Sequence, residues 1–222
     1  MSGGLFLSLE GGEGSGKTVQ AALLAAALRA SGHEVVLTRE PGGTALGERL
    51  RDVVLHAREV PLGARAQVLV FSAARAQHVD EVIRPALEAG KVVIADRFLD
   101  STAVYQGVGQ GLAPEALEAV TAFAVDGIRP RRTFVLDVPV DVAGRRRLAE
   151  RGRAWDRLEA EARNSHERLR EGYLRLAAAD PGRVVVIAAD RAEDAIAADI
   201  RREVESLLAP ARARPARTIR AV

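Results

Sequence analysis

Residues 11–18 read Gly-Gly-Glu-Gly-Ser-Gly-Lys-Thr and fit the phosphate-loop pattern G-x-x-x-x-G-K-S/T at every fixed position. No other feature restricts the fold of this chain so tightly, because such a loop works only between a strand and a helix. The flanks supply both. The apolar run Leu5 to Leu9 reads as a buried strand, and the Ala/Leu-rich stretch Val19 to Ala30 reads as a helix. Glycines let consecutive backbone N–H groups turn inward toward phosphate oxygens, and the positive end of the helix dipole adds to the attraction. In that geometry Lys17 reaches the β- and γ-phosphates, and the Thr18 hydroxyl ligates Mg²⁺. A bound nucleoside triphosphate is implied, with Gly11, Gly12, Glu13, Gly14, Ser15, Gly16, Lys17 and Thr18 around its phosphates.

Composition sharpens this reading. Of 32 basic residues only Lys17 and Lys91 are lysine, so lysine survives at the loop in a chain that otherwise uses arginine. A compact charge on a flexible stem suits a phosphate bridge better than a planar fork. With 222 residues, 48% of them hydrophobic, a single α/β domain with a small appendage is expected. There is no cysteine, which excludes disulfides, thiolate metal sites and cysteine nucleophiles. No apolar run approaches the roughly 18 residues of a membrane span, and the first strand begins too early for a signal peptide. These features imply a cytoplasmic protein that does not engage a membrane.

Net charge is +2, unevenly placed. The last fourteen residues hold Arg212, Arg214, Arg217 and Arg220 with no acid, so residues 1–208 carry 28 basic and 30 acidic groups. The body thus lacks the basic surface of a nucleic-acid binder, and 209–222 reads as a solvated, disordered basic tail.

Along residues 1–208, strand-like runs at 5–9, 34–38, 92–95, 133–136 and 183–187 alternate with helical stretches. The helical pattern at 63–89 is expected to break near His78. Continuous rather than alternating apolar strands argue for a five-stranded parallel sheet covered by helices on both faces. Strand three ends in Asp96-Arg97, and in an open parallel sheet ligands gather at the carboxyl ends of the strands. There Asp96 can hold Mg²⁺ and Arg97 can clamp a phosphate. Residues 145–157 carry six arginines against two acids. They read either as a solvated helix face or as a lid over the triphosphate, with Gly152 as a hinge.

Several segments now combine. Glu10 to Thr18, Thr38-Arg39-Glu40-Pro41-Gly42-Gly43, Phe71-Ser72-Ala73-Ala74-Arg75, Asp96 to Gly107 and Arg151 to Glu159 follow one another in order. Together they resemble the bacterial thymidylate kinases, from about residue 5 to 208. The resemblance implies a P-loop nucleoside monophosphate kinase fold, usually a homodimer, that transfers the γ-phosphoryl group of ATP to dTMP with Mg²⁺. It also implies roles for individual residues. Phe71 stacks on thymine and Arg75, one helical turn on, bonds a thymine carbonyl. Ser101 and Thr102 meet the base edge, and Pro41 and Gln106 complete the dTMP site. Tyr105 crowds the 2′ position, Arg39 and Arg97 hold the dTMP phosphate, and Glu13 accepts from the 3′-hydroxyl. Gly14 and Ser15 stand where some family members carry a basic residue, so the chain is similar to the type whose catalytic arginine comes from the lid. Arg153 is the first candidate and Arg157 the second. Two other readings stay open at this point: a kinase for another nucleoside monophosphate, and a P-loop switch that hydrolyses slowly.

Overall fold

The computed structural model describes residues 3–55, 62–151 and 158–208. Five parallel strands, β1 (Leu5–Glu10), β2 (Val35–Arg39), β3 (Val92–Asp96), β4 (Arg132–Asp137) and β5 (Val184–Ala188), form one sheet in the order β2-β3-β1-β4-β5. All five expected strands are present, each within a residue or so of its expected span.

Strand alternation explains why the runs are apolar throughout. In β1, Leu7 and Leu9 point to one face and join Ile94 and Leu136 against α1 (Lys17–Ala30) and α9 (Glu193–Leu208), through Leu24, Leu28, Ile196 and Ile200. Phe6 points to the other face, where it packs with Val93, Val79, Ile83 and Phe98. Both faces are therefore dry, and a polar side chain on either must find a partner inside the protein. Ser8 does so by bonding Thr133 at 2.8 Å.

The remaining helices are α2 (Ala45–Leu55), α3 (Ala64–His78), α4 (Arg84–Glu88), α5 (Leu99–Thr102), α6 (Pro114–Val125), α7 (Val140–Arg151) and α8 (Leu158–Ala179). The helix expected to break in two near His78 runs on instead through a π-helical turn, Val79–Ile83, that joins α3 to α4 without interruption. Pro85 accounts for it. Proline lacks an N–H and crowds the carbonyl four residues back, which here belongs to Glu81 inside the widened turn. A second π-helical segment, Ala103–Gly109, continues α5.

Register places the chemistry. Leu9 of β1 lies opposite Asp96 of β3, and Arg39 of β2 also lies opposite Asp96. The phosphate loop, the Asp96-Arg97 turn and the loop after β2 therefore leave the sheet side by side. Gly152, Arg153 and Arg157, and with them the core of the expected lid, lie outside the described residues, as does the tail 209–222.

Candidate active site

α1 opens without the usual protections: Gly16 precedes it, no side chain caps it, and its first turn carries no acid. Its free N–H groups and its dipole are left for an anion. Gly11 is needed for space as well as for its φ of 137°, since a Cβ there would sit 2.7 Å from the Leu136 carbonyl oxygen. Lys17 is only 7% exposed. Its Nζ donates to the carbonyls of Gly12 (2.7 Å) and Gly11 (3.1 Å) and to Ser15 Oγ (3.2 Å). Burial, and then the neighbouring Arg97, push this ammonium down to about 7.

Thr18 Oγ1 donates to Asp96 Oδ2 at 2.5 Å, joining α1 to the end of β3. A hydroxyl and a carboxylate are hard oxygen donors that fit Mg²⁺. No group of three His, Cys, Asp or Glu side chains able to hold a metal occurs among the described residues. The donor set therefore suits an ion that completes its shell with phosphate oxygens and water.

Beside the loop opens a cavity of about 680 Å³, large enough for a nucleotide. Glu13, Gly14, Lys17, Thr18, Asp96 and Arg97 form its floor. Arg39, Glu40 and Pro41 form one wall, Phe71 and Arg75 of α3 a second, and Ser101, Thr102, Tyr105 and Gln106 a third. Phe71 and Arg75 share a helix face, as their spacing requires. A separate cleft of about 30 Å³ between the loop, the end of β4 and α8 has room for little more than a water molecule.

The sequence reading missed Arg51, which also lines the cavity and donates to the Pro41 carbonyl at 2.7 Å. Burial and the nearby Arg39 push its guanidinium down. Arg39 is steadied by an exposed pair with Glu48 at 2.8 Å, a contact worth little stability but able to set direction. Lys17, Arg39, Arg51, Arg75 and Arg97 thus converge on one cavity.

Arg97 occupies the left-handed region at φ 71°, uncommon for a residue with a side chain. Its own N–H bonds Leu9 O at 3.0 Å, and the following N–H, of Phe98, bonds Glu10 Oε1 at 2.8 Å. The guanidinium reaches Gly11 O (3.2 Å), Ser101 Oγ (3.1 Å), Tyr173 OH (3.4 Å) and Tyr105 OH (3.3 Å), and lies 5.1 Å from the centre of the Tyr105 ring. Glu10 was read only as the first residue of a motif, and Tyr173 was not singled out. In the fold, Glu10 Oε2 accepts from Ser101 (2.6 Å) and Tyr173 (3.1 Å).

Full burial, with the Asp100 carboxylate adding to it, pushes Glu10 up to about 7, although Arg97, Ser101 and Phe98 oppose the shift. Because the folded protein prefers the protonated acid, its contribution to stability is complete below the unfolded value near 4.5. It is lost as pH rises through about 7. Glu10→Gln is expected to melt higher than the wild type at pH 8, with the difference fading toward pH 5, while turnover falls as Arg97 loses its bracket. Thermal melts across that range check this; equal melting curves at pH 8 would refute it.

Comparison with known proteins decides what this arrangement belongs to. The family profile described as Thymidylate kinase matches residues 9–200. A thymidylate kinase of Deinococcus radiodurans is 50% identical over 202 residues, covering 90% of this chain and 96% of that one. A thymidylate kinase of Clavibacter sepedonicus is 46% identical over 206 residues, covering 93% and 97%.

The chain belongs to the thymidylate kinase family.

A crystal structure of thymidylate kinase from Ehrlichia chaffeensis superposes with a TM-score of 0.75 at 32% identity, covering 91% of this chain and 99% of that one. The nucleoside monophosphate kinase fold expected from the resemblance is thereby established. Within this thymidylate kinase fold, Glu13, Gly14, Lys17 and Thr18 of the phosphate loop and all the described residues expected at the acceptor site line one cavity.

Proposed function

We propose that the phosphate loop holds ATP and the large cavity holds dTMP, so that the chain transfers the γ-phosphoryl group to the dTMP phosphate, giving dTDP and ADP. Membership of the thymidylate kinase family supports the reaction as a whole. One observation carries the placement of the acceptor. Arg75 is 3% exposed and lines the cavity, yet its Nη1 has no partner among the described residues. A buried donor of this kind costs free energy unless a ligand meets it, and a base carbonyl is a fitting acceptor.

Phe71 then stacks on the base, Thr102, Ser101 and Gln106 border its edge, and Tyr105 fills the space beside the sugar. Arg97, Arg39 and Arg51 hold the acceptor phosphate, Pro41 shapes the wall beside it, and Glu13 accepts from the 3′-hydroxyl. Lys17 and the loop N–H groups hold the donor phosphates, with Thr18 and Asp96 as the residues that would hold Mg²⁺. That ion would neutralise charge between the donor phosphates. Catalysis on this reading is mostly positioning: two phosphates brought in line with water excluded. Arg153, or failing it Arg157, closes the charge from a lid at about 145–157, with 1–208 as the catalytic domain and 209–222 as a dispensable tail.

We also read the chain as a cytoplasmic homodimer. Phe123 of α6 is 88% exposed and Leu69 of α3 is 59% exposed, on helices that pack together, an unusual amount of apolar surface to leave in water. Among the described residues no helix is long and apolar enough to cross a membrane.

An ADP-release assay with ATP, Mg²⁺ and a panel of acceptors tests the reading. Turnover is expected with dTMP, weaker turnover with dUMP, and almost none with AMP or GMP. The thymine methyl favours dTMP over dUMP by only about 1–3 kcal/mol. Equal rates with GMP would overturn the assignment of the acceptor.

A further inference from the structure

We infer that His78, which does not itself line the cavity, is a positioning residue for base recognition, acting through a buried relay Thr38–His78–Glu40–Arg75. The inference rests on the assignment of Arg75 to the base. His78 is fully buried at the C-terminal end of α3, just before the π-helical turn. Its Nε2 lies 2.7 Å from Thr38 Oγ1 on β2, and its Nδ1 lies 3.2 Å from Glu40 Oε1. Glu40, in the loop after β2, accepts from Arg75 Nε at 2.8 Å through its other oxygen.

Each link constrains the next. A carboxylate only accepts, so the His78 Nδ1–H points at Glu40, and in the neutral ring Nε2 accepts the Thr38 hydroxyl proton. Glu40 is thereby held at both oxygens and presents one of them to Arg75 in a fixed direction. Arg75 Nη2 is used as well, by Thr102 Oγ1 at 3.1 Å and Phe98 O at 3.4 Å, and the guanidinium lies 5.4 Å from the centre of the Phe98 ring. Only Nη1 is left without a partner among the described residues. The relay therefore fixes Arg75, a residue of the cavity wall, from β2, α3 and the loop after β2, with one donor still unused.

Water is kept out by backbone. A Cβ on Gly43, at φ 83°, would lie 2.7 Å from His78 Nε2 and 2.9 Å from Thr38 Oγ1, so the loop closes directly over the relay. In such a dry site a lost hydrogen bond is not replaced by solvent. A fixed donor edge also sets specificity: it accepts a carbonyl at the base position it faces and rejects an amino group, as on cytosine.

His78→Leu fills the space but frees one oxygen of Glu40; His78→Asn keeps a donor near the Nδ1 position. For His78→Leu the KM for dTMP is expected to rise about tenfold, with kcat and the KM for ATP unchanged, and the preference for dTMP over dCMP is expected to shrink. His78→Asn should restore most of the dTMP KM, and Thr38→Val, nearly isosteric, should give a smaller rise. Equal KM values for the Leu and Asn variants, or a parallel loss in kcat and in the KM for ATP, would overturn the relay and leave His78 a packing residue. Arg75→Gln separates the two layers of argument. If it leaves the dTMP KM unchanged, the assignment of Arg75 to the base fails; if it raises that KM while His78→Leu does not, only the relay fails.

Discussion

Lys17→Met lowers kcat about a thousandfold or more on this structure, with the folded state at least as stable as the wild type. Both halves of that expectation come from one geometry. The ammonium sits 2.7 Å from the Gly12 carbonyl, 3.1 Å from that of Gly11 and 3.2 Å from the Ser15 hydroxyl, almost out of reach of water. These three contacts are to uncharged oxygens, so the fold carries much of the cost of dehydrating a charge. Methionine keeps the stem and removes that cost, so the melting temperature holds or rises. Turnover, by contrast, loses a flexible charge able to follow the phosphoryl group from donor to acceptor. Asp96→Asn should be comparably slow, because the amide can still meet Thr18 but offers Mg²⁺ no charge. Single-turnover rates and thermal melts on the same samples check both variants. Loss of folding in Lys17→Met would make the side chain a strut of the loop, and a loss below about tenfold would shift the work to the loop N–H groups.

The contrast between Lys17 and Glu10 shows what a sequence of this kind discloses. A phosphate loop is a local object: eight consecutive residues between a strand and a helix, each with its own reason to be there. The pair Phe71 and Arg75 is local too, since four residues along a helix bring two side chains to one face.

Glu10, Tyr173, Arg51 and the link from Thr38 to His78 depend instead on how distant segments meet. Tyr173 reaches Glu10 across 163 positions, and only the placement of α8 over the end of β1 decides that it does. Glu10 looks like a loop residue until the alternation along β1 turns it to the buried face with Phe6 and Ser8. Arg51 is one of thirty arginines and carries no mark in sequence. The strand order, with β3 between β2 and β1, had no local signal either, yet it is what sets Arg39, Asp96 and the loop side by side.

Arg153→Ala is the second substitution with a large expected effect, and it separates chemistry from binding. The residue belongs to the arginine-rich stretch between α7, which ends at Arg151, and α8, which begins at Leu158. Arg39, Arg51, Arg97 and Lys17 line the described cavity, and on the proposed reading they meet the acceptor and donor phosphates in their ground states. Charge that grows on the moving phosphoryl group needs a further donor, and an arginine in that role is worth about 10³–10⁵ in rate. Because the charge is largest in the transition state, Arg153→Ala should cut kcat by about that range and leave the KM for dTMP close to wild type. Phe71→Ala supplies the opposite signature. Stacking on the base is made equally before and during transfer, so its loss should raise the dTMP KM about tenfold or more with little change in kcat. Steady-state kinetics of the two variants side by side decide the matter. A silent Arg153→Ala with an inactive Arg157→Ala would move the catalytic role four residues along and keep the lid. Two silent variants would leave the arginine run as a solvated surface and require the transferring phosphoryl group to be neutralised by Lys17, Arg97 and Mg²⁺ alone.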